Sequence, residues 1–273
     1  MNTLFSVRDH IIIITGAGGA LAGTTARHLA SQGAITVLLG RGLEKLEAVA
    51  SSIRSATPDA ITLPLSVDVL DRAALEAVRT RVLAEYGRID ALINGAGGNM
   101  PGATIAPEKS FFDLDPTAFR EVIDLNLTGT VLPTMIFAEP MNAAGRGAIV
   151  NYSSVSAVRA LTRVIGYSAA KSGVENFTRW LAVDLAKKTS GGIRVNAVMP
   201  GFFLGDQNRA LLTNPDGSLT ARGQTIIHQT PFGRFGQAEE LNGAIQYLLS
   251  PASAFVTGTV LTIDGGFTAF SGV

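Results

Sequence analysis

Tyr167 and Lys171 stand four residues apart, and Ser154 lies thirteen residues before the tyrosine. These three residue types can move a proton at neutral pH without histidine, cysteine or a metal. A free phenol has a pKa of about 10 and is a poor base at pH 7. On a helix, a lysine at i+4 lies on the same face one turn along. Its ammonium favours the phenolate and lowers the tyrosine pKa. A shift of roughly 3 units corresponds to about 4 kcal/mol of differential stabilisation. The serine hydroxyl can hold the substrate oxygen whose proton moves. Tyr-x-x-x-Lys also arises by chance in helices, so this reading depends on the elements that position the three residues.

Those elements alternate. His10–Thr15 (HIIIIT) reads as a buried strand, followed by glycines and an amphipathic stretch from Ala20 to Ser31. Strands are predicted at Ala34–Leu39, Ile61–Val67, Ala91–Ile93, Ala148–Tyr152, Ile193–Val198 and Val260–Ile263. Helices are predicted at Leu43–Ser55, Asp71–Tyr86, most of Asp113–Met141, Gly166–Lys188 and Ala238–Leu249. Strand–helix alternation at this spacing implies right-handed βαβ crossovers. The fold class is therefore α/β: a single-domain Rossmann-type doubly wound parallel sheet over residues 1–273, with about seven strands and helices on both faces. Near-continuous apolar strands agree with burial on both sides. Two loops break the alternation, Gly97–Ser110 and a long excursion over about 202–236 with Asn-Pro-Asp-Gly turn chemistry at 214–217. Both leave the carboxyl ends of strands, where open α/β sheets bind ligands.

Composition excludes several function classes. There is no cysteine, which rules out disulfides and thiolate catalysis, and the three histidines are scattered without metal-ligand spacing. Basic and acidic residues balance at 22 each, so no field favours nucleic acid or acidic lipid. The longest early apolar run, Ile11–Ile14, is too short for a membrane span, and the start lacks a signal-peptide pattern. A cytoplasmic protein is expected. Charged residues make up only 16%, which points to surface covered by other subunits.

Thr15-Gly16-Ala17-Gly18-Gly19-Ala20-Leu21-Ala22 joins the first strand to the first helix. Glycines there let the backbone turn tightly and approach a pyrophosphate, whose charge suits free N–H groups at a helix start. Further on come Asn94-Gly95-Ala96-Gly97, Asn126 in DLNLTG, Ser154, Tyr167/Lys171 and Pro200-Gly201. In order and spacing this set resembles the classical short-chain dehydrogenase/reductase family over nearly the whole chain. Ala20 and Ala22 depart from it, standing where the family usually has glycine.

The resemblance implies roles. Tyr167 would be the general acid/base, and Lys171 would lower its pKa and hold the nicotinamide ribose, an oxidised nicotinamide adding a second positive charge. Ser154 would orient the substrate oxygen. The Asn126 backbone would hold a water linking Lys171 to solvent; the alternative is a polar contact inside a helix. Thr15, Gly16, Gly18, Gly19, Ala20, Leu21, Asn94, Ala96, Gly97, Pro200, Gly201 and Phe203 would frame the dinucleotide. Asp68-Val69 resembles the adenine-edge contact, with a helix cap as the alternative. At Leu39-Gly40-Arg41-Gly42 no carboxylate is available for a ribose 2′-hydroxyl, while Arg41 can meet a 2′-phosphate, so NADP(H) is favoured over NAD(H). Arg41 as a solvated charge, or stacked on adenine, is the other reading.

The substrate should lie among Asn99, Ser154, Arg159, Arg163, Phe202, Gln207, Asn208 and Arg209. Two arginines between the serine and the tyrosine favour an anionic carbonyl or alcohol substrate, because guanidinium forks pair with carboxylates; salt bridges at a subunit contact are the alternative. The strings NGAGGN, FFDLD, VRALTR, PGFF, QNRALL, TPFGRFG and DGGFTAFSGV resemble short-chain enzymes assigned as D-mannonate oxidoreductases (fructuronate reductases). Hydride transfer on a sugar acid follows as the expected reaction, with a neutral ketone, polyol or 3-oxoacyl substrate as the runner-up. A nucleotide sensor without turnover is a third reading, against which the intact Asn126, Ser154, Tyr167 and Lys171 argue. The resemblance also implies a homotetramer built on the helices carrying Asn126 and Tyr167 and on the last strand. Phe267–Val273 is either part of that contact or a folded-back tail.

Overall fold

The structure, a computed structural model, describes residues 3–205 and 208–272. Among them, β1 (Ile11–Thr15), β2 (Ile35–Gly40), β3 (Thr62–Ser66), β4 (Ala91–Asn94), β5 (Gly147–Tyr152), β6 (Ile193–Pro200) and β7 (Val260–Ile263) form one parallel sheet in the order β3-β2-β1-β4-β5-β6-β7. The helices are α1 (Ala20–Ser31), α2 (Leu43–Ala56), α3 (Arg72–Tyr86), α4 (Pro116–Ile123), α5 (Gly129–Ala144), α6 (Ile165–Lys188), α7 (Arg209–Leu212), α8 (Ala221–His228) and α9 (Asn242–Leu249). The doubly wound sheet expected from the sequence is the one observed.

Strand β1 shows why four successive isoleucines are needed. Successive side chains of a strand point to opposite faces. Ile12 and Ile14 join the layer of α1, α2 and α9 through Leu29, Leu46 and Ile245. Ile11 and Ile13 join the layer of α3, α5 and α6 through Val78, Phe137 and Leu185. All four are buried, and each such side chain contributes about 1.5–3 kcal/mol by leaving water.

From β1 the chain winds outward to β2 and β3, then returns to lay β4 on the other side of β1. The two connections diverge there and open a crevice beyond the carboxyl ends. Thr15 and Asn94 pair at that edge. The Thr15 hydroxyl accepts from the Gly95 and Ala96 N–H groups, both at 3.1 Å. The Asn94 amide donates to Thr134 Oγ1 and Asn151 Oδ1, both at 2.8 Å, in the buried interior. These two side chains tie together the crevice walls that the sequence expects to frame the dinucleotide.

Asp113–Met141 is mostly helical, as expected, with a detail the sequence does not mark: α4, capped by Asp115 onto the Thr117 N–H, passes through a π-helical turn at Asp124–Thr128 into α5. The excursion carries α7 and α8 around a bridge between Thr213 and Leu219. Its Asn214–Gly217 turn forms as the composition predicts, with Gly217 at φ 84° and its N–H donating to Asn214 O. Among the described residues no helix is long and apolar enough to cross a membrane.

Candidate active site

Tyr167 opens the first turn of α6, and Lys171 follows on the same face with Nζ 5.5 Å from the phenol ring centroid. Ser154 ends the extended segment after β5, where its Oγ accepts from the Ser156 N–H at 3.2 Å. The serine hydroxyl also acts on the Tyr167 phenol, favouring its ionised form. Strand β5 and helix α6 thus converge two hydroxyls and an ammonium at the crevice edge.

The electrostatics correct one expectation. Lys171 does not by itself draw the phenol down: burial pushes the Tyr167 phenol above its ordinary value, and only the Ser154 hydroxyl opposes this. The reason is that Lys171 is itself nearly sealed, 3% exposed, and burial lowers its ammonium to about 8. It gives up its charge before the phenol ionises. One hydrogen bond, from Nζ to Tyr152 O at 2.8 Å, fixes the lysine head.

The π turn explains Asn126. It rotates this buried side chain toward the loop after β4, where Oδ1 accepts from the Gly98 N–H at 3.0 Å and Nδ2 donates to Gly98 O at 2.7 Å. Its backbone carbonyl accepts from Thr130 Oγ1 at 2.9 Å. A Cβ on Gly97 would come within 2.6 Å of Asn126 Oδ1 and 3.3 Å of Lys171 Nζ, so the asparagine, the lysine and this loop meet at one point.

The glycine-rich turn lies beside them. Gly19 is the N-cap of α1 and supplies no side-chain cap, and the first turn holds no acidic residue. The opening N–H groups of a helix have no partners within it, so those of Ala20, Leu21 and Ala22 suit a phosphate. Gly16 has φ +69°, and a Cβ there would lie 2.6 Å from Gly95 O. Gly16→Ala is therefore expected to cost at least about 1–2 kcal/mol for the left-handed backbone alone, read as a lower melting temperature. The rise in that temperature on adding NADPH should also shrink; an unchanged response would show that the turn tolerates a methyl group. A Cβ on Gly205 would rest 3.5 Å from the Ala20 Cβ, which brings the excursion down over the turn.

At the far end of the crevice Arg41 is exposed just after β2, and its carbonyl accepts from Ser66 Oγ at 2.9 Å. Asp68 accepts from the Leu70 N–H through Oδ1, while Asp71, not Asp68, caps α3. Val69 is buried, and a Cβ on Gly129 would lie 2.8 Å from its Cγ2. Beyond β6, the Gly201 N–H that follows Pro200 donates to Ile263 O at 2.9 Å. Phe203 is buried against Gly236, so only its backbone can face a cofactor. The donor set thus fits a dinucleotide: free N–H groups at a helix start, and a cation with a neighbouring hydroxyl beyond β2.

Comparison with known proteins agrees with this geometry. The family profile described as Enoyl-(Acyl carrier protein) reductase matches residues 16–268. The chain is a short-chain dehydrogenase/reductase. It is 43% identical over 270 residues to the "Uncharacterized oxidoreductase UxuB" of Bacillus subtilis, covering 96% of this chain and 95% of that one. The crystal structure of a "putative D-Mannonate oxidoreductase" from Haemophilus influenza, with bound NAD, superposes with a TM-score of 0.91 at 41% identity, covering 98% of each chain. A "putative NAD(P) dependent gluconate 5-dehydrogenase" from Beutenbergia cavernae, with NADP bound at low occupancy, gives 0.84 at 29% identity over 98% of this chain and 100% of that one. This short-chain dehydrogenase is an NAD(P)-dependent oxidoreductase acting on alcohols and their carbonyl counterparts.

The residues expected at the substrate are divided by the structure. Asn99 is exposed and donates to Thr104 Oγ1 at 2.7 Å. Phe202 packs edge-on to Phe267, ring centroids 5.1 Å apart, and the Arg159 guanidinium donates to Thr268 O. The tail thus folds back onto its own chain, and Arg159 is engaged there. Asn208 accepts from the Gly205 N–H and donates to Phe203 O, so its amide shapes the excursion instead of facing a substrate. Arg209 is exposed at the start of α7, and Gln207 lies outside the described residues. Arg163 stands just before α6. The sequence reading missed Arg222 of α8, which reaches back to Thr162; no local motif marks it. It also missed Glu175, buried one turn beyond Lys171, which accepts from Ser153 Oγ at 2.7 Å and pairs with Arg179 at 3.0 Å.

Proposed function

We propose that this dehydrogenase interconverts a ketone and a secondary alcohol on a sugar acid, of which the fructuronate/mannonate pair is the leading example. The observation that carries the chemistry is the meeting of Ser154, Tyr167 and Lys171 beside the glycine-rich turn. When bound, the nicotinamide supplies or accepts the hydride and, in its oxidised form, adds a positive charge. Ser154 holds the reacting oxygen, and the Tyr167 phenol gives it a proton during reduction or takes one during oxidation. Lys171 positions the nicotinamide ribose and passes protons on, and the Asn126 backbone carries the water beyond it. Support for the substrate class comes from the basic residues between Ser154 and Tyr167 and from the relatives whose printed names include sugar acids.

Within the same reading NADP(H) is preferred over NAD(H), because Arg41 is exposed after β2 and Gly40 offers no carboxylate to a 2′-hydroxyl. Residues 1–273 act as one catalytic domain in the cytoplasm. Exposed Met135 on α5 and Trp180 and Val183 on α6 support packing of those helices in a homotetramer.

A single screen tests this. Sugar acids, neutral ketones and 3-oxoacyl thioesters are offered with NADPH and with NADH, and the loss of reduced nicotinamide is followed. Highest kcat/KM on a sugar acid with NADPH, and loss of the NADPH preference in Arg41→Met, are expected. Equal rates on neutral ketones would overturn the substrate class, and an Arg41→Met enzyme with unaltered preference would overturn the cofactor assignment.

A further inference from the structure

The stretch joining Ser154 to Tyr167 holds a concentration of positive charge that has no acidic partner among the described residues. Arg163 has φ 79°, in the left-handed region that non-glycine residues seldom adopt without a local reason. Its backbone is pinned, since the Ile105 N–H from the loop after β4 donates to Arg163 O at 3.0 Å. Arg222 approaches from α8, and its Nη1 donates to Thr162 Oγ1 at 3.2 Å. The excursion thus brings the Arg222 guanidinium onto the residue just before Arg163 in the catalytic stretch, near enough for the Arg163 charge to act on it. Among the described residues neither pairs with a carboxylate. Arg222 is half-buried, and both its burial and the charge of Arg163 hold its guanidinium below the ordinary value. Like charges set close together and partly removed from water oppose folding unless an anion joins them. Arg159 stands apart, with its guanidinium bonded to the tail.

We infer that Arg163 and Arg222 form the carboxylate subsite, gripping the acid group of a keto or hydroxy acid whose reacting carbon lies at Tyr167. This rests on the sugar-acid reading and assigns it to two residues. Guanidinium forks match carboxylate geometry and form bidentate, charge-assisted hydrogen bonds. Because Arg222 belongs to the excursion and Arg163 to the catalytic stretch, an acid group between them links the two. A neutral ketone leaves the two cations unneutralised, so the subsite selects for the acid.

The test measures kcat/KM for D-fructuronate against D-fructose and levodione, in the wild type and in Arg163→Met, Arg222→Met and Arg222→Lys. Dinucleotide binding confirms that each variant is folded. Each Met variant should lower the acid-over-neutral selectivity by about ten- to a hundredfold, mainly through KM for the acid. Arg222→Lys, which keeps charge but loses the fork, should fall between. A wild type that prefers fructuronate, with Met variants of unchanged selectivity, overturns the subsite and leaves the sugar-acid reading standing. A wild type that reduces neutral ketones and no carboxylate overturns that reading, and the subsite with it. An acyl-CoA substrate whose KM alone follows the two arginines overturns the carboxylate assignment in favour of a phosphate.

Discussion

Replacing Tyr167 with Phe is expected to lower turnover by roughly 10²- to 10⁴-fold while leaving dinucleotide binding largely intact. The change deletes one oxygen from the first turn of α6 and keeps the ring that packs against the small cluster of Ala103, Ala118 and Val122. The loss should therefore fall on kcat and not on the melting temperature. The raised pKa of the phenol adds a direction to this prediction. Without bound cofactor the phenol stays protonated at neutral pH, which suits carbonyl reduction, where a proton is donated. Alcohol oxidation needs the phenolate, so its rate in the wild type should climb with pH, and that climb should vanish in Tyr167→Phe. Turnover in the variant near the wild-type value would remove the phenol from the mechanism.

Lys171→Met should produce the opposite pairing, an enzyme that is crippled but more stable at neutral pH. Unfolded, the lysine keeps its proton to its ordinary value of 10.5; folded, only to about 8. The unfolded chain therefore holds the extra proton between those values, and stability rises with pH across that window. At pH 7 the wild type carries the whole cost of a buried ammonium, about 3 kcal/mol from a depression of this size. Methionine removes that cost but strips the donor from the Tyr152 carbonyl, which takes back about 1–3 kcal/mol. A modest net gain is expected at pH 7, read as a melting temperature higher by a few degrees. That gain should fade as the pH rises through 10.5, above which the wild-type lysine is neutral in both states. Turnover should drop by at least about a hundredfold. A variant less stable than the wild type at every pH would show that the buried ammonium is better compensated than its hydrogen bond to Tyr152 O implies.

Much of this architecture is written in local pattern. The run Ile11–Ile14 has no polar side, so it can only be a strand covered on both faces, and both core layers claim it. Helix α1 starts and stops at the residues its glycines and amphipathic spacing predict. Tyr167 and Lys171 meet because four residues make about one helical turn, a relation that needs no tertiary information.

The π turn at Asp124–Thr128 is different, because a helix gains an extra residue per turn only when something outside it takes up the displaced groups. Here the Gly98 loop does so through Asn126. Order, spacing and turn chemistry thus specified the sheet, the glycine-rich turn and the hydroxyl–ammonium group, because each is a contact between near neighbours or a repeat of fixed period. Burial of Lys171, the upward push on the phenol and the approach of Arg222 to Arg163 were decided only by the folded chain. Desolvation and long-range Coulomb forces depend on which distant segments close over a side chain.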